Sequence, residues 1–527
     1  MKLIKKIAAI MFAFMMVFTL SSNVNAEETA GTGKITVNDA IDGQTYTVYR
    51  ILKLDSYEPK VDQSGKDTGI YSYKPNGNWV NFLKDKTAKG GFDYIEIDEN
   101  DYARWKGDDN DSRRAEFAKR ALAYAKEHAN DTDATTKIDV VNSLPASGNK
   151  VEFSGLDLGY YLVDSSVGAL CSLTTTNENV VVNEKNNVPT INKYVHEASG
   201  NILSQNAMKK NYTAFYGQTI TFNVVINNFK GADNLVVNDN FGDKIKLVVS
   251  SEGYFVPTIT LNKYNNGTLD DLVHLINNTD FTVTKNHTDF TIKILEAGNK
   301  KLQEHLDYDL YITYNAVVNS GVGITDIVNT ATLTYGDNNT TQDKAYVGSL
   351  NIPVLKYTKY GGTEKNLPNA EFGLYKEKSC KTALKFSKDD TTNTYKTNTY
   401  NYDTNGTVTT TLTSDNNGKI QINGLAEGTY YLKETKAPKG YNLLKNPIEV
   451  TIAPVVDTTT NEIKSEKITV KKDGAPAEVT EVKVENNTGS LLPSTGGAGT
   501  TLIYLIGGAL VLGSGIVLAN KKRAKAK

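Results

Sequence analysis

GTYYLKETKAPKGY, residues 428–441, is a strand-like run that ends in a proline-containing turn. Side chains of a β-strand alternate between its two faces, so Tyr430, Leu432 and Glu434 are expected on the same face. The two apolar residues place that face against a core, and the third position then carries a carboxyl group inwards. Burying a carboxyl group is costly unless the group is neutral or paired. The stretch therefore predicts a β-domain with a polar site in its core.

A lysine and an asparagine lie on apolar stripes at the two ends of the third segment of the chain, residues 351–488. Lys356 follows one stripe near the start, and Asn486 follows another near the end. Lys359 remains an alternative to Lys356, because it shares a face with Leu355 and Tyr357. The two stripes consist of Leu350, Ile352 and Val354, and of Val482 and Val484.

The run at 428–441 resembles the E-box, YxLxETxAPxGY, of pilin and collagen-adhesin B-type domains and matches every fixed position. The resemblance implies that Glu434 catalyses an intramolecular isopeptide bond between Lys356 and Asn486. In such a site the dry surroundings favour a neutral lysine amine, and the acid polarises the asparagine carbonyl while ammonia leaves. All three side chains must then meet in one pocket.

The second segment, residues 189–350, repeats this pattern with a different acid. Lys193, Asp239 and Asn329 each lie on an apolar stripe, near its start, middle and end respectively. The layout resembles the collagen-adhesin A-type domain, in which the acid is commonly Asp, and implies a second isopeptide bond between Lys193 and Asn329. Asn238 and Asp239 also suit a turn, so a surface turn is the alternative interpretation.

The first segment, residues 27–188, has a matching acid but lacks the lysine. Residues 158–164 look like an E-box in which Asp164 replaces Glu, but Asn38 stands where the bonding lysine is expected. We therefore predict no bond in this segment. Its one predicted helix runs from Ser112 to about Ala129, with Asp111 or Ser112 as N-cap.

Both ends of the chain carry targeting signals. Lysines precede an apolar stretch near the N-terminus, and the small residues before Glu27 predict signal-peptidase cleavage after Ala26. Near the C-terminus a polar pentapeptide precedes an apolar run at 501–519 and a basic tail at 520–527, as expected for a membrane anchor with its tail in the cytoplasm. The pentapeptide is Leu492, Pro493, Ser494, Thr495 and Gly496.

This arrangement resembles the LPxTG sorting signal of Gram-positive surface proteins. The resemblance implies cleavage by a sortase between Thr495 and Gly496 and transfer of the threonyl carbonyl to an amine. In major pilins the amine is usually a lysine in a YPKN-like motif at the end of the first domain. Lys185 holds that position here and keeps the following Asn, although Asn183 and Glu184 replace Tyr and Pro.

Composition excludes several other classes of protein. The chain has 58 basic and 60 acidic residues, and removal of the predicted signal peptide and anchor takes away eight cations, leaving an acidic product. An acidic product argues against nucleic acid as a partner. Two cysteines exclude a disulfide framework as the main stabilising feature. No known catalytic or metal-binding motif occurs, so we expect no enzyme activity on an external substrate, no metal and no cofactor.

We therefore predict an all-β fold of tandem immunoglobulin-like β-sandwich domains. The expected domains are a signal peptide at 1–26, an N-terminal domain at 27–188, an isopeptide-forming domain at 189–350 and a B-type domain with the E-box at 351–488. The function predicted from the resemblance is that of a secreted, wall-anchored backbone pilin. Its expected partners are a class C sortase, a housekeeping sortase, other copies of itself, minor pilins, peptidoglycan and a host ligand. The alternative is a monomeric wall-anchored adhesin that binds host matrix.

Overall fold

The structure is a computed structural model that describes residues 31–489 and 498–524, with gaps at 59, 61–62, 64–68, 166–178, 199–207, 325, 337, 401–406 and 473–474. The described residues form 34 strands and four helices, which confirms the predicted fold class. Cleavage after Ala26 and the pentapeptide at 492–496 fall outside the described residues.

The first group of elements forms three small sheets and two helices. One sheet has the order β7-β1-β9, a second has the order β3-β2-β6 with β8 also paired to β2, and β4 pairs with β5. The elements are β1 Gly33–Asn38, β2 Thr45–Glu58, β3 Ile70–Pro75, α1 Trp79–Lys84, β4 Ile95–Ile97, β5 Ala103–Trp105, α2 Asp111–His128, β6 Asn142–Pro145, β7 Lys150–Leu156, β8 Gly159–Ser165 and β9 Asn179–Asn183.

Helix α2 is the one that the sequence predicts, but its cap differs. The side chain of Asn110, one residue before the predicted caps, accepts a hydrogen bond from the backbone N–H of Arg113 at 3.0 Å. Phe117 and Ala121 lie four residues apart on one face of the helix and are buried in the core of the first group. The structure adds α1, whose six residues are too few for a helical period to stand out in the sequence.

The second group of elements forms two six-stranded sheets that enclose one core. The first has the order β10-β12-β19-β15-β16 with β14 paired to β19, and the second has the order β11-β21-β20-β13-β18-β17. The elements are β10 Thr190–Glu197, β11 Asn211–Thr213, β12 Thr219–Asn227, β13 Val236–Asn240, β14 Ile245–Leu247, β15 Thr258–Asn265, β16 Thr268–His274, β17 Phe281–Lys285, β18 Asp289–Ile294, α3 Glu296–Glu304, β19 Asp309–Val318, β20 Ile327–Tyr335 and β21 Asn339–Gly348.

The third group again forms two sheets around a core. One has the order β23-β22-β29-β26-β25-β27 with β34 paired to β22, and the other has the order β28-β24-β30-β31-β32-β33. The strands are β22 Leu350–Tyr360, β23 Thr363–Asn366, β24 Glu371–Tyr375, β25 Phe386–Asp389, β26 Thr394–Thr397, β27 Val408–Thr409, β28 Leu412–Thr413, β29 Lys419–Leu425, β30 Gly428–Lys436, β31 Ile448–Val456, β32 Ile463–Lys472, β33 Ala475–Val479 and β34 Val482–Glu485.

The first and last strands of the third group lie side by side. β22 and β34 pair in parallel, with Lys356 opposite Val484. Because Asn486 follows β34 directly, the pairing brings that residue towards Lys356. The arrangement follows from the two apolar stripes, since both strands must present their alternate residues to the same core.

An aromatic side chain from the second group packs into the core of the third group. Phe215 lies between β11 and β12, yet it belongs to the core of the third group and is only 3% exposed. Its ring centroid is 6.4 Å from that of Tyr430. Nearby, the hydroxyl of Thr213 accepts a hydrogen bond from the backbone N–H of Glu427 at 2.8 Å. Contacts between the two groups are therefore both apolar and polar.

The C-terminal segment forms helix α4, Ala498–Ala524, which covers the apolar run at 501–519. In the described part of the chain, no helix meets the length and apolarity needed to cross a membrane. The transmembrane role of 501–519 and the proposed domain boundaries stay predictions.

Candidate functional site

The third group of strands brings its three predicted site residues together. Lys356 on β22 is 0% exposed, Glu434 on β30 is 2% exposed, and Asn486 after β34 is 1% exposed. The Nζ atom of Lys356 lies 3.2 Å from Oε1 of Glu434. A lysine, an acid and an amide thus share one dry pocket.

Hydrogen bonds hold the acid and the amide in place. Oε2 of Glu434 accepts from Nδ2 of Asn486 at 3.0 Å and from the backbone N–H of Leu444 at 2.9 Å. Nδ2 of Asn486 also donates to the backbone carbonyl of Asn442 at 2.6 Å. The chain that follows residues 428–441 therefore fixes the positions of Glu434 and Asn486.

Other polar atoms in this pocket have no aligned hydrogen-bond partner among the described residues. They are Nζ of Lys356, Oε1 of Glu434 and Oδ1 of Asn486. Buried polar atoms are normally hydrogen-bonded, so these three atoms in one pocket, two of which have only the 3.2 Å ion pair, require an explanation. Burial also lowers the pKa of Lys356, although the neighbouring Glu434 opposes that effect. The pocket favours a neutral amine next to an amide.

The alternative lysine lies elsewhere. Lys359 is at the exposed end of β22, with its Nζ atom 4.0 Å from Oε1 of Glu364. The extended strand turns Lys356 inwards and leaves Lys359 at the surface. The structure therefore brings Lys356, and not Lys359, next to Glu434.

The second group of strands assembles a matching cluster. Lys193 on β10, Asp239 on β13 and Asn329 on β20 are all 0% exposed. Nζ of Lys193 forms an ion pair with Oδ2 of Asp239. Asp239 lies within strand β13, so the alternative interpretation as a surface turn is wrong. Since β13 pairs with β20, the acid and the amide lie on neighbouring strands.

Sequence reasoning missed a fourth member of this cluster. The hydroxyl of Tyr314, on β19, accepts from Nζ of Lys193 at 2.9 Å and from Nδ2 of Asn329 at 2.6 Å. The same hydroxyl donates to Oδ1 of Asp239 at 2.7 Å. Leu310, which alternates with it, also points inwards, so the period-two pattern of β19 contained a signal for a buried tyrosine.

Burial changes the acidity of all three ionisable members. It lowers the pKa of Lys193 against the opposing charge of Asp239. It raises the pKa of Asp239 against the effect of Lys193. The pKa of Tyr314 is raised above its ordinary value, again chiefly by burial. Desolvation therefore favours the neutral amine, the neutral acid and the neutral phenol.

The first group of strands arranges its acid differently. Asp164 on β8 is 3% exposed, and its Oδ2 atom lies 2.9 Å from Nζ of Lys126 on helix α2. Asn38 ends β1 opposite Asn183 of β9, so an amide stands where the other groups have their lysine. The absence of a bond here stays a prediction.

Lys185 lies on a short segment that follows β9. Its side chain is half-buried, and the segment is fixed by Glu184, whose backbone N–H donates to the carbonyl of Asn38 at 2.9 Å. Oε1 of Glu184 accepts from the backbone N–H groups of Lys185 and Asn186 at 2.9 and 2.8 Å. The carboxylate of Glu184 thus acts as an anchor for the backbone around Lys185.

No group of three or more His, Cys, Asp or Glu side chains suited to a metal ion occurs among the described residues.

Two family profiles match parts of the chain. Residues 353–467 match the prealbumin-like fold domain (SpaA), and residues 484–527 match the LPXTG cell wall anchor motif. The first match covers most of the third group of strands, including Lys356 and Glu434. The second includes the predicted sortase site.

A curated protein and several solved structures are also similar. The chain is 29% identical over 302 residues to fimbrial subunit type 1 of Actinomyces viscosus, which covers 48% of this chain and 52% of that protein. The match therefore spans about half the length of that relative.

Among solved structures, the major pilin SpaD of Corynebacterium diphtheriae is 16% identical, with 89% of this chain and 99% of that one covered and a TM-score of 0.44. The T6 backbone pilin of serotype M6 Streptococcus pyogenes is also 16% identical, with 87% and 98% covered and a TM-score of 0.44. The chain is therefore similar to LPXTG-anchored fimbrial proteins in three respects, namely the anchor motif, the prealbumin-like domain and the partial match to a fimbrial subunit.

Proposed function

We propose that the chain is the backbone subunit of a covalent pilus, joined head to tail by a sortase and cross-linked internally by two Lys–Asn isopeptide bonds. The observation that carries this proposal is the pair of buried lysine, acid and asparagine clusters in a chain that also has an LPXTG anchor. Surface adhesion and colonisation are the roles that such a fibre would serve.

The third group of strands would form its bond by acyl transfer. A proton first moves from Nζ of Lys356 to Glu434, which leaves a neutral amine and a neutral acid. The amine attacks Cγ of Asn486, a second Nζ proton passes through Glu434 to Nδ2, and ammonia leaves. One C–N bond forms and one breaks, so the product is a secondary amide and the acid is regenerated.

The second group of strands would follow the same overall reaction. Lys193 supplies the amine, Asn329 supplies the carboxamide, and Asp239 supplies the acid. The lowered lysine pKa and the raised aspartate pKa both favour the neutral pair that the attack requires. Neither bond needs a metal, a cofactor or an oxidant.

Polymerisation would join two sites of the chain, the pentapeptide at 492–496 and Lys185. A class C sortase cleaves between Thr495 and Gly496 and transfers the threonyl carbonyl to Nζ of Lys185 on another copy. The link joins different surfaces of the two copies, so it produces an open filament instead of a closed ring. A housekeeping sortase would attach the basal copy to peptidoglycan, and minor pilins would join the same fibre.

The internal bonds are tested by intact mass. The secreted part of the chain, residues 27–491, should be lighter than its sequence mass by about 34 Da, because each bond releases one ammonia of about 17 Da. Glu434→Ala should restore one ammonia. A wild-type protein at full sequence mass would overturn this part of the proposal.

Polymerisation is tested separately in boiled cell-wall extracts. A backbone pilin gives a ladder of high-molecular-weight bands, and Lys185→Ala should abolish it. Lys246→Ala, at an exposed position on β14, is the control and should leave the ladder unchanged. A single band from the wild-type chain would instead support the monomeric adhesin, which uses the same domains to bind host matrix.

A further inference from the structure

The two buried clusters connect their acid to their asparagine in different ways. In the third group of strands, Oε2 of Glu434 contacts Nδ2 of Asn486 directly at 3.0 Å. In the second group, Nδ2 of Asn329 instead donates to the hydroxyl of Tyr314, which donates to Asp239. A phenol thus stands between the acid and the amide in only one of the two clusters.

The identity of the acid gives a reason for this difference. The side chain of Asp is one carbon–carbon bond shorter than that of Glu, so Asp239 reaches less far from its strand than Glu434 does. The hydroxyl of Tyr314 bridges that gap, with hydrogen bonds of 2.7 Å to the acid and 2.6 Å to the amide. Both distances are within the range at which protons transfer between hydrogen-bonded groups.

We propose that Tyr314 is a catalytic residue for the bond between Lys193 and Asn329, relaying a proton from Asp239 to the departing amide nitrogen. This inference rests on the proposed function, because it concerns a step of the same reaction. It assigns the second group of strands a four-residue site, whereas the third group uses three residues.

The relay can be written as one concerted transfer of three protons. It begins after Lys193 has given a proton to Asp239. With that proton on Oδ1, the acid donates to the Tyr314 oxygen and the phenol turns its own O–H towards Nδ2, so both hydrogen bonds run in the opposite direction to those of the ion-paired state. As Nζ attacks Cγ of Asn329, Nζ gives a proton to Oδ2, Oδ1 gives its proton to the Tyr314 oxygen, and the phenol gives its own proton to Nδ2. The products are the secondary amide, ammonia, a neutral carboxyl group and a neutral phenol.

The surroundings keep the phenol neutral and fixed. Burial raises the pKa of Tyr314 and so disfavours its anion. The ring stacks on Phe222 with centroids 5.4 Å apart and meets the edge of Phe290 at 5.0 Å. Since these ring contacts do not involve the hydroxyl, a Phe at position 314 can keep the packing while losing the relay.

The test follows bond formation in newly made full-length chains. The chain is synthesised in a cell-free system, samples are denatured at intervals and digested, and the peptide joining Lys193 to Asn329 is quantified by mass spectrometry. The peptide joining Lys356 to Asn486 in the same sample is the internal reference, because it corrects for synthesis. Tyr314→Phe is compared with Tyr335→Phe, a buried tyrosine of the same core.

We expect Tyr314→Phe to slow the Lys193–Asn329 bond on the order of 10²-fold relative to the reference bond, as loss of general acid–base catalysis does. Tyr335→Phe should leave the ratio unchanged. Equal rates for Tyr314→Phe and wild type would overturn the relay. If the wild-type chain never forms the Lys193–Asn329 bond, the proposed function fails instead, so the two failures are distinguishable.

A second variant covers the case in which Tyr314→Phe does not fold. Site-specific 3,5-difluorotyrosine at position 314 keeps the ring and the hydroxyl but makes the phenol more acidic. A relay predicts a changed rate and a shifted pH–rate profile for the Lys193–Asn329 bond. An unchanged rate and profile would mean that the hydroxyl only positions its neighbours, which contradicts the proposal.

Discussion

Replacing Lys356 by Met is the sharpest test of the cross-link in the third group of strands. Met has a similar length and leaves no unpaired cation in a pocket where the lysine is 0% exposed. The substitution removes the amine, so the loop from Lys356 to Asn486, roughly 130 residues, is no longer closed in the unfolded chain. By analogy with disulfides, closing a loop of that length stabilises the fold by about 5 kcal/mol.

Hydrogen exchange measured by mass spectrometry gives this quantity for one part of the chain. A loss of about 5 kcal/mol corresponds to exchange about 10³ to 10⁴ times faster for the amides of β22 and β30 that open only on unfolding. Intact mass on the same sample should show one ammonia restored. The faster exchange should be confined to the third group of strands.

Lys359→Met is the matched control, since it makes the same chemical change three residues along the same strand. Its side chain is exposed, so mass and exchange should both remain as in the wild type. The assignment of Lys356 is wrong if Lys359→Met restores the ammonia instead. If Lys356→Met restores it and exchange changes less than threefold, the loop-closure argument is wrong.

Two further predictions concern Glu184 and Gly424. Glu184→Ala removes the acceptor that fixes the segment around Lys185, and should lower the yield of the wall-extract ladder several-fold while leaving both ammonia losses in place; Glu184→Gln, which keeps an acceptor oxygen, should retain most of the yield. Gly424→Ala should destabilise the third group of strands by about 1–3 kcal/mol in a denaturant titration, because the new Cβ would lie 2.4 Å from the ring of Tyr216 at a φ of +82°. Gly267→Ala has a similar φ of +78° but open space, so a comparable loss there would show that the ring contact contributes nothing.

Period-two alternation was sufficient to place most members of the two clusters. Lys193, Asp239 and Asn329 each lie on an apolar stripe, which predicts that they face a core, and all three are buried. Alternation alone did not choose between Lys356 and Lys359, since the choice depends on which face of β22 meets the core. The pairing of β22 with β34 resolves it.

The sequence could not indicate contacts that depend on how the strands are arranged in space. Tyr314 is one of many tyrosines, and only the sheet order places β19 where its hydroxyl meets Lys193 and Asn329. Phe215 gave no signal either, because it is an apolar residue in a short connection that packs into the next group of strands. Both are tertiary contacts. The alternation of β19 indicates that Tyr314 is buried, but local patterns do not say which side chains it meets.

The position of Phe215 also sets the stiffness of the chain. Rotating the second group of strands away from the third would withdraw this ring from an apolar site, at a cost of about 1.5–3 kcal/mol. Because the hydrogen bond from Glu427 to Thr213 must break as well, that joint would stand open in fewer than roughly 10% of molecules at any moment. The joint between the first and second groups has contacts of its own, because Ile41 packs against the core of the second group and the backbone N–H of Asn187 donates to the carbonyl of Lys230 at 2.9 Å. In a fibre built from this chain, the second and third groups should therefore turn together as one longer arm.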